Sequence, residues 1–321
     1  MLGHDTMKPQ DFRAFIEQLG DLSDVQRSAL AAALASKNSA NDAIAMIEAR
    51  FAAAPACGHC RSENFGTWGH ASDLRRYKCR DCKRTFNALT GTPLAQLHRR
   101  DAWLNYARAL VARISLRKAA VAANIGLETS FRWRHRFLAA AKTKRPSVVT
   151  GIVEADETFI LKSQKGSRQI KGRKPRKRGG KANKSGLSTD DHDAILIVRD
   201  RHTTTTDHIL PDLQGTTFAQ HLKPIVAEGS VLVSDGRAAY GAFAYANKFL
   251  HIPIIASHGE HVYEGFHIQN VNAYTSRFKG WMAPFRGVAS KYLASYLGWR
   301  RMIERDGDRL TPRHCLAVAL G

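Results

Sequence analysis

Four of the five cysteines stand within 26 positions of one another, and their spacing constrains the local fold more than any other pattern in the chain. Two Cys-x2-Cys pairs are separated by 18 residues: Cys57, Cys60, Cys79 and Cys82. Such pairs place four thiolates on two short hairpins, where one tetrahedral Zn²⁺ ion can join them. Because four thiolates close the coordination sphere, the pattern predicts a structural zinc ribbon over residues 53–92. His59 and His70 are interpreted as exposed or loop residues.

The charge balance narrows the class of partner. The 321 residues carry 49 Lys or Arg against 28 Asp or Glu, a formal charge of +21. This excess favours a polyanion, with nucleic acid as the first candidate and an anionic membrane surface as the second. No apolar run approaches the roughly 20 residues that span a bilayer, and acidic residues interrupt the first 30 positions. We therefore expect a cytoplasmic, nucleoid-associated protein, in which clustered cysteines bind metal. No role follows for Cys315.

Helical periodicity is predicted on both sides of the ribbon. Residues 1–52 form an N-terminal helical segment, with helices over 11–19 and 39–51, to which no chemistry is assigned. Residues 98–145 give three helices with a short Asn-Ile-Gly turn before the third, which is typical of a helix-turn-helix. Its third helix is expected to present three arginines to DNA: Arg132, Arg134 and Arg136. A plain helical bundle with a solvated basic face is the alternative.

Strand and helix signals follow one another in an informative order across residues 148–304. Three consecutive strands come first, and helices then alternate with two further strands. This order predicts an α/β fold, a mixed sheet flanked by helices as in ribonuclease H-like folds. In that arrangement the first strand, over 151–160, lies beside the fourth, over 230–234. The remaining residues, 305–321, are expected to form a C-terminal tail.

Acidic residues on these two strands predict a metal site. Asp156 lies within the first strand and Asp235 directly follows the fourth. Two carboxylates on adjacent strands are rigidly aimed and can hold divalent cations through oxygen ligands. Glu154 shares a strand face with Asp156 and is interpreted as an assisting group or as a surface acid. Glu157 points to the other face and is interpreted as structural.

A basic insertion occupies residues 161–190, between the first two strands. Residues 161–189 contain eleven Lys or Arg and no acidic residue, with Gly, Ser and Pro typical of a polar loop. Beside an acidic pair in a folded domain, we expect this segment to track a phosphate backbone, although a solvated charge run is the alternative. Five of its residues are candidate DNA contacts: Arg173, Lys174, Arg176, Lys177 and Arg178.

The third position of the predicted metal site is less well defined by the residues alone. Asn272 and Lys279 are seven positions apart on a polar helix, so they share one face about two turns apart. Asn can offer its carbonyl oxygen to Mg²⁺, but without charge. Glu260 and Glu264 are the carboxylate alternatives.

Together these residues resemble a known family. The ribbon cysteines, Val153-Glu-Ala-Asp-Glu-Thr158, Val233-Ser-Asp-Gly236 and the segment from His267 to Lys279 are similar to bacterial insertion-sequence transposases of the DDE superfamily. The similar group is the ISXO-type, with a zinc ribbon and an Asp-Asp-Asn-Lys signature, and the resemblance covers about residues 55–300. It implies that Asp156, Asp235 and Asn272 bind Mg²⁺ or Mn²⁺ as catalytic residues and that Lys279 contacts DNA beside them. It also implies a homo-oligomer on DNA.

The expected function is therefore DNA transposition: binding of terminal repeats, Mg²⁺-dependent phosphodiester hydrolysis and strand transfer. Two other functions compete with it. A non-enzymatic DNA-binding regulator would use the ribbon, the helix-turn-helix and the charge without needing the paired aspartates. A ribonuclease H-like nuclease that cuts without rejoining would not need the modules that recognise element ends.

Overall fold

The computed structural model describes residues 7–172, 189–255, 258–259 and 261–321. Its strands are β1 Phe65–Ala71, β2 Leu74–Cys79, β3 Thr85–Asn87, β4 Ile152–Leu161, β5 His192–Asp200, β6 Thr205–Leu210, β7 Val231–Ser234 and β8 Leu250–Pro253. Its helices are α1 Pro9–Gln18, α2 Asp24–Ala53, α3 Trp103–Val111, α4 Leu116–Ala122, α5 Leu127–Phe137, α6 Ala139–Thr143, α7 Gly215–Leu222, α8 Ala238–Asn247, α9 Gln269–Met282, α10 Ser290–Asp306 and α11 Pro312–Leu320. Within the described ranges, no helix combines the length and apolarity that crossing a membrane requires.

Helix α2 is longer than the sequence pattern predicts. It runs without a break for 30 residues, whereas the pattern placed its start near residue 39. Ser23 explains the earlier start, because its hydroxyl accepts from the Gln26 backbone N–H while the Gln26 side chain accepts from the Ser23 N–H. This capping box satisfies two N–H groups that a helix otherwise leaves free. The Ser-x-x-Gln signature was present in the sequence and marked the true beginning.

Strands β1, β2 and β3 form a small antiparallel sheet beside the cysteine pairs. Its interior is aromatic: Tyr77 stacks on Phe86 with ring centroids 5.5 Å apart, and Phe65 meets both rings edge-on. Phe51, from the last turn of α2, lies 4.8 Å from the ring of Tyr77. The N-terminal helix is thereby packed against the ribbon.

The larger sheet has the strand order β6-β5-β4-β7-β8. Strands β4, β5 and β6 are antiparallel neighbours, whereas β7 and β8 run parallel to β4. The predicted adjacency of the first and fourth strands is confirmed, with Val153 opposite Leu232 and Ala155 opposite Ser234. The mixed α/β class predicted from the sequence is therefore present, with helices on both faces of the sheet.

Three apolar clusters stabilise the chain. One lies between the large sheet and helices α7 and α8, and a second lies between its other face and helices α9 and α10. The largest joins the ribbon, the helices around α5 and the C-terminal helices. Residues 305–321, predicted to be a tail, include α11, whose Cys315 and Leu316 are buried in that largest cluster.

Candidate active site

Three carboxylates converge where β4 passes the end of β7. Asp156, Glu157 and Asp235 each place an oxygen within 4.8 Å of the others. The pairing of β4 with β7 ends at Ala155 and Ser234, so the next residue of each strand lies at the same level of the sheet. Asp156 and Asp235 are thus neighbours, as the sequence predicted. Carboxylate oxygens at this spacing match the ligands that Mg²⁺ and Mn²⁺ prefer.

The negative charges of the three carboxylates repel one another. Burial and the nearby Asp235 carboxylate raise the pKa of Asp156 to about 6. Burial, aided by the charges of Asp235 and Asp156, raises the pKa of Glu157 to about 7. Lys279 and Arg237 act in the opposite direction on Asp156. Like charges held together in this way are relieved by a bound cation, which supports a metal site in this cluster.

The role of Glu157 differs from the sequence interpretation, which treated it as a structural residue on the opposite face. Its carboxylate is buried beside both aspartates, and Arg237 Nε donates to its Oε2 at 3.0 Å. Side chains alternate between the two faces of a strand, so Glu157 was expected to point away from the aspartates. This expectation fails because β7 stops at Ser234, and Asp235 is therefore not held to one face of the sheet. The turn that follows brings Asp235 around the end of the strand, within reach of both neighbours.

A tight turn fixes Asp235. The backbone N–H of Arg237 donates to the Asp235 Oδ1 at 3.1 Å. Gly236 between them has φ +84°, and a Cβ there would meet Ile255 Cγ1 at 3.0 Å. Only glycine combines this left-handed backbone with so close a neighbour at low cost. The Asp-Gly pair that ends the strand is therefore dictated by the turn that aims the carboxylate.

Glu154 joins strand β4 to helix α9. Its fully buried carboxylate accepts hydrogen bonds from the backbone N–H groups of Asn270 and Val271, at 2.8 and 3.0 Å, and from the Asn270 side chain at 2.8 Å. The Nε atom of Arg201 lies 3.1 Å from the Oε1 atom of Glu154. A carboxylate at a helix N-terminus satisfies free N–H groups and the helix dipole. The sequence left Glu154 as either a group that assists Asp156 or a surface acid. In the structure it is fully buried, and it is not one of the three clustered carboxylates.

Helix α9 carries the other two predicted residues. Asn272 and Lys279 are exposed on it, while Val271, Tyr274 and Phe278 pack into the sheet. Lys279 is close enough to Asp156 to lower its pKa. Glu264 is exposed in the loop before the helix and is not among the three clustered carboxylates. Glu260 lies outside the described residues.

The region that contains this site is similar to known proteins. Residues 148–300 match the family model described as ISXO2-like transposase domain. This domain belongs to the insertion-sequence transposases of the DDE superfamily. Over 247 residues, 75% of this chain and 82% of the relative, the sequence is 27% identical to a protein of Halobacterium salinarum described as an uncharacterized protein in transposable element ISH50. No solved structure matches the chain.

The four cysteines that precede the transposase domain come together as a second candidate metal centre. All four Sγ atoms lie within 4.8 Å of one another, with Cys57 to Cys82 and Cys60 to Cys79 both at 3.7 Å. Tetrahedral zinc with bonds of about 2.3 Å requires S···S edges of about 3.8 Å. The arrangement is compatible with a zinc ribbon. His59 and His70 are both exposed.

The predicted recognition helix α5 presents fewer arginines to solvent than expected. Arg132 is exposed, near Glu128. Arg134 is fully buried, donates to the Ile114 carbonyl at 3.0 Å and lies 4.7 Å from the Trp299 ring centroid. The Arg136 guanidinium donates to the carbonyls of residues 93 and 95. The expectation that all three face DNA is therefore wrong for the buried Arg134, while the half-buried Arg136 guanidinium joins α5 to a neighbouring segment and its contact with DNA stays a prediction.

The five predicted DNA contacts in the basic insertion lie outside the described residues: Arg173, Lys174, Arg176, Lys177 and Arg178. The described part of the insertion includes residues 162–172. Ser163 exchanges hydrogen bonds with Ser290 at the start of α10, at 2.8 and 3.0 Å. The first residues of the insertion therefore pack against the start of α10.

Proposed function

We propose that this chain is a DNA transposase that binds the terminal repeats of an insertion sequence, hydrolyses a phosphodiester there and transfers the freed strand to a target. The observation that carries the proposal is the convergence of Asp156 and Asp235 from adjacent strands, beside Lys279. Phosphoryl transfer requires positioning and charge neutralisation more than a covalent nucleophile. The carboxylates can position a divalent cation, and the cation together with Lys279 can neutralise the charge of the phosphoryl group.

The strand order supports a ribonuclease H-like fold for the catalytic domain. Three antiparallel strands are followed by two that run parallel to the first, and the first strand lies at the centre of the sheet. The two aspartates occupy the central strand and the end of its parallel neighbour. The proposed metal ligands are therefore positioned by the strands of the sheet and not by a mobile loop.

Asp156, Asp235 and Asn272 are proposed to hold Mg²⁺ or Mn²⁺, with Glu157 as the adjoining carboxylate. Divalent ions bound there supply Lewis acidity and charge neutralisation to the phosphoryl group. Lys279 is proposed to pair with a DNA phosphate next to the carboxylates. Glu154 fixes the start of α9 against β4, and we propose that this contact positions Asn272 and Lys279 for the site that holds Asp156. Arg237 holds Glu157 and, through its backbone N–H, Asp235.

The modules outside this domain are proposed to provide recognition. Zn²⁺ held by the four ribbon cysteines would keep the ribbon folded, and the ribbon and the region of α3 to α5 would contact the terminal repeats, with Arg132 as the exposed arginine of α5. The five cations in the insertion are proposed phosphate contacts. Because two element ends are processed together, we propose a homo-oligomer assembled on DNA in the nucleoid.

The test uses purified protein, Mg²⁺ and DNA fragments that end in the repeats flanking the gene. Wild type should nick the fragment at the repeat and expose a 3′-hydroxyl, whereas Asp156→Ala should bind the fragment equally and leave it intact. Equal absence of cleavage in both proteins, with binding retained, would support the DNA-binding regulator. Cleavage without any joining to target DNA would support the nuclease.

A further inference from the structure

A large cleft lies between the exposed side of α5 and the segment that leads into α10. Its volume is about 1010 Å³. One wall is the segment 113–118 and the exposed side of α5, and the other is the segment 284–292, which leads into α10. None of the proposed catalytic residues lines it. Strand β4 runs on roughly 17 Å from Asp156 to its end at Leu161, and two residues that follow this strand, Lys165 and Gly166, line the cleft.

The charge of the cleft has one sign. Six lining residues are Lys or Arg and none is Asp or Glu. All six are exposed, and none forms an ion pair with a carboxylate in the described part of the chain. They are Arg113, Arg117, Lys118, Lys165, Arg286 and Lys291. Cations gathered without counter-charges around a concave surface indicate an anionic ligand.

The inside of the cleft is aromatic. The rings of His135 and Tyr292 are stacked, with centroids 3.8 Å apart and planes at 15°. Phe131 meets both rings edge-on, at 4.8 and 5.4 Å. Burial, with the charges of Arg134 and Lys291, lowers the pKa of His135 to about 4, so its ring is neutral at pH 7. The cleft therefore combines neutral aromatic rings with a cationic rim, whose Lys291 ammonium lies over the Tyr292 ring, 4.9 Å from its centroid.

The basic insertion begins at the edge of this cleft. The ammonium group of Lys165 donates to the carbonyls of Arg286 and Gly287, both at 3.1 Å. The start of the insertion is therefore fixed to the wall formed by segment 284–292. Lys165, a cation of the insertion, is thus also one of the cations of the cleft's rim.

We propose that this cleft binds an unpaired stretch of DNA, with a base against the Tyr292–His135 rings and the flanking phosphates on the cationic rim. The proposal deepens the proposed function, on which it depends for the source of the DNA, an element end opened near the cleavage site. Duplex DNA turns its phosphates outward and would engage only the rim. An aromatic interior adds contact that unpaired bases alone can use.

The experiment measures binding of a fluorescein-labelled dT8 oligonucleotide by anisotropy, with full-length protein and no divalent cation added. Tyr292→Ala should weaken binding about 5- to 150-fold, the range expected for loss of one stacked base, and Tyr292→Phe should restore it. Tyr245→Ala, at an exposed tyrosine on α8, is the matched control and should change nothing. Lys118→Ala should lower the dependence of log affinity on log salt by about 0.7. Thermal unfolding checks that each variant is folded.

A second probe distinguishes stacking from general anion binding. The fluorescence of an oligonucleotide containing 2-aminopurine should be quenched by wild type and not by Tyr292→Ala. The proposal is overturned if Tyr292→Ala binds like wild type, if no quenching occurs, or if polyglutamate displaces the oligonucleotide at equal charge, which would indicate an acidic protein ligand. These measurements need no cleavage, so a protein that binds the oligonucleotide but never cuts element ends refutes only the transposase proposal.

Discussion

Replacing Asp156 by asparagine should make the metal-free protein more stable near neutral pH while removing its activity. The carboxylate has a pKa of about 6 in the fold and an ordinary value of 3.8. Above pH 7 this difference corresponds to a stability cost of up to about 3 kcal/mol. The cost is absent below pH 3.8, because both states are protonated, and it grows until the pH passes 6. Asparagine carries no such cost. Allowing for coupling with Asp235, we expect a gain of about 1–2 kcal/mol.

Urea unfolding without divalent cations tests this expectation at pH 5 and pH 7.5. The advantage of Asp156→Asn should shrink to roughly half at pH 5, and added Mg²⁺ should stabilise wild type more than the variant. Asp11→Asn, on the exposed helix α1, is the control and should show neither effect. A variant that is less stable than wild type at pH 7.5, or an advantage independent of pH, would refute the electrostatic reasoning.

Three further predictions concern other parts of the fold. Glu154→Ala should cost about 3–5 kcal/mol in urea unfolding, because it removes a buried ion-pair partner, and should slow DNA cleavage; Glu154→Gln should recover part of both. Cys60→Ser should lower both the zinc content measured by atomic emission and the thermal midpoint, and unchanged values would exclude a structural zinc site. Gly298→Ala should cost about 1–3 kcal/mol, since its Cβ would meet the Ala141 carbonyl oxygen at 2.4 Å, whereas Gly280→Ala, with open space, should be neutral or stabilising.

The topology of the large sheet could be predicted because its strands and helices have distinct periodicities and appear in an order with few allowed arrangements. The adjacency of β4 and β7 followed from that order, and with it the meeting of Asp156 and Asp235. The α/β class and this pair of carboxylates were therefore accessible from the sequence alone.

The roles of the flanking glutamates were not accessible, because they depend on where neighbouring elements end. Glu154 is buried since α9 begins directly above it, and Glu157 joins the cluster since β7 stops at Ser234. Alternation along one strand predicts which face a side chain takes. It does not predict what covers that face.

The arginines of α5 show the same limit for a helix. Arg134 lies three positions before Phe137 and four after Ser130, on a surface that a second neighbour buries. That neighbour is Trp299 of α10, more than 160 positions later in the chain. Helical periodicity identifies one apolar face and predicts that the opposite face is exposed. In a helix that is buried on two sides, some cations of that opposite face are therefore packed against a neighbour.

Joining of element ends to target DNA is the measurement that tests the central claim most directly. Wild-type protein with Mg²⁺ and a precut fragment ending in the flanking repeat should yield fragments covalently joined to a supercoiled plasmid. Asp235→Asn should bind the fragment with wild-type affinity and yield no joined product. Joined product from Asp235→Asn at the wild-type rate would contradict the assignment of the reaction to the carboxylate site between β4 and β7.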